Sequence, residues 1–285
     1  MNPKKLLLVG GNYLGEDLMP RLRSEQFKLS WLRRHPRPPL SKIEGLALDV
    51  RETKALSTLS EFDIIITALT AEKREAKAYR STFIEGAKSI CQRWPDAHHI
   101  FLSSTSVYGE KDGETIDDST LAAPTTPTGV ALLEAENIFL QLKNSTILRP
   151  SGIYGPERTR FLQSLSAPLP ESSKTTWTNR IHRTDLNRMI ERLVSQPALP
   201  RPRHIIASDP QPAPILKMQE WYLSQRPEHR SQVEAESQTD GPNPDRAKQK
   251  RASGRKNRKI EPRWWLEQGF TWAYPSFREG YAAEL

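Results

Sequence analysis

At 285 residues the chain can build one large domain or a domain with a smaller lobe, while a 36% hydrophobic content and a mean hydropathy of −0.65 leave part of it as solvated loop. Its one cysteine, Cys91, excludes an intramolecular disulfide and a cysteine-built zinc site, and no apolar run nears the roughly 20 residues of a membrane span, which points to a soluble cytoplasmic protein. The formal charge of +8 is local: residues 246–263 hold nine Lys/Arg against one acid, Glu261, and the remainder balances at 33 bases and 33 acids.

The pair Lys4-Lys5 ahead of LLLVGG has the charge-then-apolar order of a secretory signal. The apolar part is short and runs straight into a glycine turn, so it reads as a first strand. Short apolar runs recur at 27–32, 46–50, 63–69, 99–104 and 146–150, with helix-period stretches between several of them, notably 72–93 and 128–143. This alternation predicts an α/β protein with a parallel sheet and helices on both faces. The second half is less regular. Proline is dense across 197–214, and the polar, basic stretch 232–259 reads as a flexible insertion before WWLEQGFTWAYPSF returns the chain to the fold.

The turn after the first strand reads Gly10-Gly11-Asn12-Tyr13-Leu14-Gly15, or G-x-N-x-x-G. In a dinucleotide fingerprint the first glycine permits the tight turn, the second lets backbone approach a pyrophosphate, and the third lets helix pack on strand. Asparagine is the least costly replacement in the middle, since it tolerates positive φ. The motif follows a strand and opens a helix, which favours a nucleotide loop over an ordinary glycine turn. About 20 residues on, an acid would grip the 2′-hydroxyl of NAD. The second strand instead ends Trp31-Leu32-Arg33-Arg34-His35. Cations there suit a 2′-phosphate, so NADP is expected ahead of NAD; a solvated basic loop end is the plainer alternative.

With the stretches FLSSTSVYGE (101–110), LRPSGIYGP (148–156) and IHRTDL (181–186) added to VGGNYLG, the chain resembles the extended short-chain dehydrogenase/reductase family, the NAD(P)-dependent sugar-nucleotide epimerases and dehydratases. The likeness runs from residue 1 to about 190, with a weaker echo in the last twenty. It implies a doubly wound Rossmann sheet over 1–150 and a small C-terminal substrate lobe over 151–285, interleaved with it. It places Asp49 near the adenine, Ala68-Leu69-Thr70 along the cofactor, and Pro150 to Ile153 beside the nicotinamide. It also implies a homodimer paired through the helices that flank the fourth and fifth strands, and a small-molecule substrate, phosphorylated or nucleotide-linked.

The family's reaction uses a tyrosine acid/base, a lysine four residues on, a nearby Ser or Thr, and an asparagine on the preceding helix. Here the serine is Ser104. The tyrosine and lysine positions are Thr128 and Leu132 within PTTPTGVALLEAE, and the asparagine position is Phe83. No alignment slip restores the pair, because no tyrosine lies between Tyr108 and Tyr154 and no lysine between Lys111 and Lys143. A threonine hydroxyl is far too weak an acid for the role. The pattern resembles the atypical subgroup of that family, which keeps the glycine loop and lacks the tyrosine.

Ser104, Thr128 and Tyr154 are the residues expected to line a substrate cleft, with Tyr108 and His182 as further titratable candidates. Packing is the stronger reading for Tyr108 and Tyr154, and helix capping or packing for His182. His98-His99 is not a metal pair, since adjacent strand residues face opposite ways. The basic segment matches no base-reading motif, which makes nucleic acid the least favoured partner, behind a plain solvated loop and a cover for a phosphorylated substrate. Two readings stay open: an unconventional reductase or isomerase, and a non-catalytic NADP-responsive regulator acting through its basic segment.

Overall fold

The computed structural model describes residues 2–22, 25–35, 40–229 and 257–285, so most of the expected basic insertion lies outside the described residues. The chain divides into two compact units. The first comprises residues 1–109, 121–150 and 186–207, and the second 110–120, 151–185 and 208–285.

The first unit is built on a seven-stranded sheet. Its strands are β1 (Lys4–Gly10), β2 (Phe27–Arg33), β3 (Ile43–Ala47), β4 (Ile64–Ala68), β5 (His98–Leu102), β7 (Ser145–Pro150) and β11 (His204–Ala207). They lie in the order β11-β7-β5-β4-β1-β2-β3, and every pairing is parallel. Leu6 to Val9 and Ile64 to Ile66 are buried in full or nearly so. Strands covered on both faces need such unbroken apolar runs, which is why they read as runs rather than alternation. The connecting helices are α1 (Asn12–Arg21), α2 (Thr53–Leu56), α3 (Ala76–Tyr79), α4 (Gly86–Arg93) and α5 (Pro127–Leu140), with a π-helical turn, Arg80–Glu85, joining α3 to α4.

The architecture is the doubly wound parallel sheet. The chain runs outward from β1 to β3, then returns to β4 on the other side of β1 and runs outward again. The loops after β1 and β4 therefore diverge, and that reversal is where open α/β sheets bind ligands.

Helix α5 starts where its sequence dictates. Thr126 caps it, accepting the N–H of Gly129 at 3.2 Å, and Pro127 occupies the first turn. Phe139 near its end stacks on Phe101 of β5 at 4.7 Å. Two expectations shift. The edge strand β3 begins at Ile43 rather than 46, because an edge strand with one covered face shows only intermittent apolar residues. Strand β11 was not expected at all: HIIA is four residues long and sits inside the proline-dense 197–214 stretch.

The second unit carries three two-stranded sheets: β6 (Glu114–Ile116) with β13 (Arg258–Ile260), β8 (Gly152–Tyr154) with β10 (Arg180–His182), and β9 (Trp177–Thr178) with β12 (Ala213–Pro214). Its core gathers Tyr154, Leu162, Leu165, Met218, Phe277 and Tyr281. The buried carboxylate of Asp185 accepts the N–H groups of Ala273 and Tyr274, each at 2.8 Å, and so pins the aromatic C-terminal run. Among the described residues no helix is long and apolar enough to cross a membrane.

Candidate functional site

The glycine turn sits at the C-terminal end of β1. Gly10 has φ +74° and Gly11 φ +65°, a left-handed backbone that side chains rarely tolerate. A Cβ on Gly10 would stand 2.7 Å from the Ala68 carbonyl oxygen, and the Gly11 N–H donates to that same oxygen at 2.7 Å. The expected reason for Asn12 is corrected here. Asn12 is the first residue of α1, so the positive φ falls on the two glycines before it. Gly11 caps α1 and brings no side-chain acceptor to the first turn, which leaves the anion-attracting end of a ten-residue helix at the turn.

Gly15 lets α1 settle on the sheet. A Cβ there would meet Trp31 Cζ2 at 2.4 Å and Leu8 Cδ2 at 2.7 Å. The Trp31 indole N–H donates to the Gly10 carbonyl at 2.6 Å, so the ring that Gly15 covers also fixes the turn. Gly15→Ala is expected to cost about 1–3 kcal/mol through overpacking. Thermal unfolding reads it, and an unchanged Tm would contradict this packing.

The charged residues cluster beside the turn. The Arg33 guanidinium lies 4.0 Å over the Trp31 ring and is mostly buried. Arg34 forms an ion pair with Glu72, in the loop after β4. Asp49 accepts from Arg51 at 2.6 and 2.9 Å, and also from the Arg51 backbone N–H at 3.0 Å. The Arg51 side-chain hydrogen bond holds the Asp49 carboxyl below its usual range, outweighing the opposing effect of burial. Arg51 continues to Ser81 at 2.9 Å, and Ser81 to Glu85 at 3.1 Å. Ala68 closes β4, the Leu69 side chain packs where Gly86 begins α4, and Thr70 is exposed beyond it. Glu72 and Arg51 were not singled out in the sequence, where nothing marks which acid will meet which base across 38 residues.

The positions of a catalytic pair lie on α5 and the turn after β5. Ser104 opens the short helical turn Thr105–Val107, and its Oγ accepts the Ser106 N–H at 3.1 Å. Thr128, half-buried in the first turn of α5, stands 3.4 Å from the Thr126 hydroxyl. A Cβ on the neighbouring Gly129 would lie 2.8 Å from the Ser106 carbonyl oxygen, so the start of α5 presses on the Ser104 turn. Leu132 is buried, as is Phe83, whose ring meets Tyr79 at 5.1 Å. Both side chains are therefore core packing, Leu132 on α5 and Phe83 on the π-helical turn.

Tyr108 is fully buried in a charged network. Its hydroxyl accepts from Arg149 at 3.0 Å, and Arg149 makes a two-toothed ion pair with Glu136, at 2.6 Å for the shortest contact, all of it buried. In the second unit, Tyr154 is buried with its O–H donated to the Ser276 carbonyl at 3.2 Å. Burial pushes its phenol far above the usual range, with the nearby Asp209 adding to the effect. His182 accepts the Thr184 N–H at Nδ1, 3.2 Å, and its ring meets that of Tyr274 at 3.9 Å, tilted by 43°. Among the described residues no cluster of three or more His, Cys, Asp or Glu could hold a metal ion.

A seven-stranded parallel sheet, switch point and glycine turn of this kind define a Rossmann α/β protein. The chain belongs to the NAD dependent epimerase/dehydratase family, whose pattern matches residues 6–187. Among solved structures, it is similar to a proposed NAD-dependent epimerase/dehydratase from Methylobacillus flagellatus, at 27% identity and TM-score 0.77 over 99% of this chain and 97% of that one. Its fold is also like that of MoeE5 in complex with UDP-glucuronic acid and NAD (18% identity, TM-score 0.71, 98% and 96% covered). A third likeness is to a dTDP-glucose 4,6-dehydratase from Bacillus anthracis in complex with NAD (14%, 0.70, 97% and 94%). No match is found among curated proteins.

Proposed function

We propose that the first unit binds NADP(H) in preference to NAD(H), and that the protein acts on a phosphorylated or nucleotide-linked small molecule without the family's tyrosine and lysine. The observation that carries this is the glycine turn with two cations beside it: Gly10 and Gly11 in left-handed backbone at the start of α1, and Arg33 and Arg34 at the end of β2. The backbone N–H groups of Asn12, Tyr13 and Leu14 in the first turn of α1 supply the pyrophosphate cradle, those of Gly11 and Gly15 being donated to the Ala68 and Gly11 carbonyls while the glycines let the phosphates approach, and Arg34 supplies the 2′-phosphate contact. Asp49 takes the adenine side, and Ala68, Leu69 and Thr70 follow the cofactor. Binding of a nicotinamide dinucleotide is supported by structures of like fold solved with NAD, one of them, MoeE5, with either of two sugar nucleotides as well.

When bound, the nicotinamide would supply a hydride acceptor or donor. What this chain adds there is hydroxyl donors, Ser104 and Thr128, and no group of suitable pKa between them. Tyr154 we assign to packing, since its O–H is already donated. Any proton must therefore come from the substrate or from solvent. The experiment is a screen of sugar nucleotides and carbonyl compounds against the NADPH-loaded protein, following nicotinamide absorbance. Substrate-dependent oxidation that Ser104→Ala slows at least about tenfold supports catalysis. No absorbance change and no conversion of any substrate, with the protein loaded with NADPH or with NADP+, supports the second reading, a regulator that binds NADP(H) without turning it over; the loss of both Tyr and Lys favours it.

A further inference from the structure

The sheet order β4-β1-β2 sets the loops that follow β2 and β4 on either side of the glycine turn. Arg34 is the first residue after β2, and Glu72 lies in the loop after β4, so their ion pair spans the C-terminal end of β1. Asp49 and Arg51 pair alongside, and each pair feels the other: the Arg34 charge acts on Asp49, and the Glu72 charge on Arg51. Within these two pairs the charges cancel, and Arg33 adds a third cation at the same edge. Arg33 is fixed by its packing on Trp31, which leaves Arg34 as the partly exposed cation able to turn toward a ligand.

We propose that Glu72 is a specificity-determining residue, holding Arg34 in the unliganded protein and setting how strongly the site prefers NADPH over NADH. The inference rests on the cofactor reading given above. A 2′-phosphate brings a charge near −2 where NAD brings a neutral hydroxyl. To meet it, Arg34 must share or leave Glu72, and the carboxylate left behind repels the phosphate. NADH meets neither obstacle. Glu72 therefore weakens NADPH binding specifically, and removing its charge sharpens the preference that Arg34 creates. An exposed pair of this kind is weak enough to be broken by a ligand, which is what a discriminating contact requires.

The test is calorimetric titration of the full-length protein, Glu72→Gln, Arg34→Gln and the double variant with NADPH and with NADH at low ionic strength. Glu72→Gln is expected to tighten NADPH about fivefold and leave NADH within about twofold. In the Arg34→Gln background the Glu72→Gln gain should shrink to the part that comes from direct repulsion of the phosphate, and added salt should reduce it in the native background. An unchanged NADPH/NADH ratio in a protein whose wild type binds NADPH overturns this inference alone. A loss of NADH affinity of about tenfold also overturns it, by showing that Glu72 grips the ribose hydroxyls. Wild-type protein that binds neither nucleotide removes the cofactor reading and this inference with it.

Discussion

Replacing Glu136 by glutamine is expected to destabilise the protein by about 3–5 kcal/mol. The Glu136 carboxylate is wholly buried and meets the Arg149 guanidinium through Nε and Nη2, with Tyr108 taking Nη1. A glutamine keeps one acceptor but leaves a buried guanidinium without a counter-charge. Arg149→Met strands the carboxylate in the same way. The double replacement Glu136→Gln with Arg149→Met removes both charges and should cost less than the two single losses summed. Urea unfolding of the four proteins measures the cycle, and a single-variant loss below about 1 kcal/mol would refute it. The consequence reaches the candidate site. This triad ties β7 to α5 and to the 104–108 turn, so weakening it should also blur whatever Ser104 and Thr128 position.

Stability is expected to fall as pH drops from about 6.5 toward 4, by about 3 kcal/mol from His98 alone. Burial, with smaller contributions from Arg201, His99 and Lys4, pushes His98 down to about 4. Arg201 stands 3.2 Å from its Nε2, so that nitrogen serves as acceptor and the ring is neutral. The folded state resists protonation that the unfolded chain accepts below about 6.5, so the contribution is whole above that value and lost as pH falls through the window. Burial lowers His99 and His204 as well, which deepens the same slope. Asp49, lowered by Arg51, adds a loss in the same direction once pH falls through the carboxylate range. Urea midpoints at pH 7 and pH 4.5 should differ in the wild type and differ less in His98→Gln. Equal midpoints in the wild type would contradict the argument.

The central strands were legible because β1, β4 and β5 are continuous apolar runs ending in turn residues, and burial on both faces demands such runs. Strand β11 was hidden by the prolines around it, and β3 was displaced because an edge strand leaves a thin signal. The glycine turn was legible as a motif, while the backbone reason for Asn12 was not: the number of glycines does not say which of them bends. Trp31 lies beneath Gly15, buried, with its indole on the Gly10 carbonyl, a contact that no motif in the sequence marks. That Thr128 and Leu132 stand where the family has its tyrosine and lysine rests on the resemblance of the surrounding motifs. What fills the space around them could not be read from the sequence. The Arg34–Glu72 and Arg51–Asp49 pairs depend on loop geometry, and charge pairs across distant loops leave no periodic trace in a sequence.

The measurement that bears most directly on this account is calorimetric titration of the wild-type protein with NADPH and NADH, alongside Arg33→Gln and Arg34→Gln. NADPH should bind more tightly than NADH, with Arg34→Gln reducing the NADPH affinity about tenfold and leaving NADH nearly unchanged. Tighter binding of NADH, or an NADPH affinity indifferent to both arginines, would contradict it.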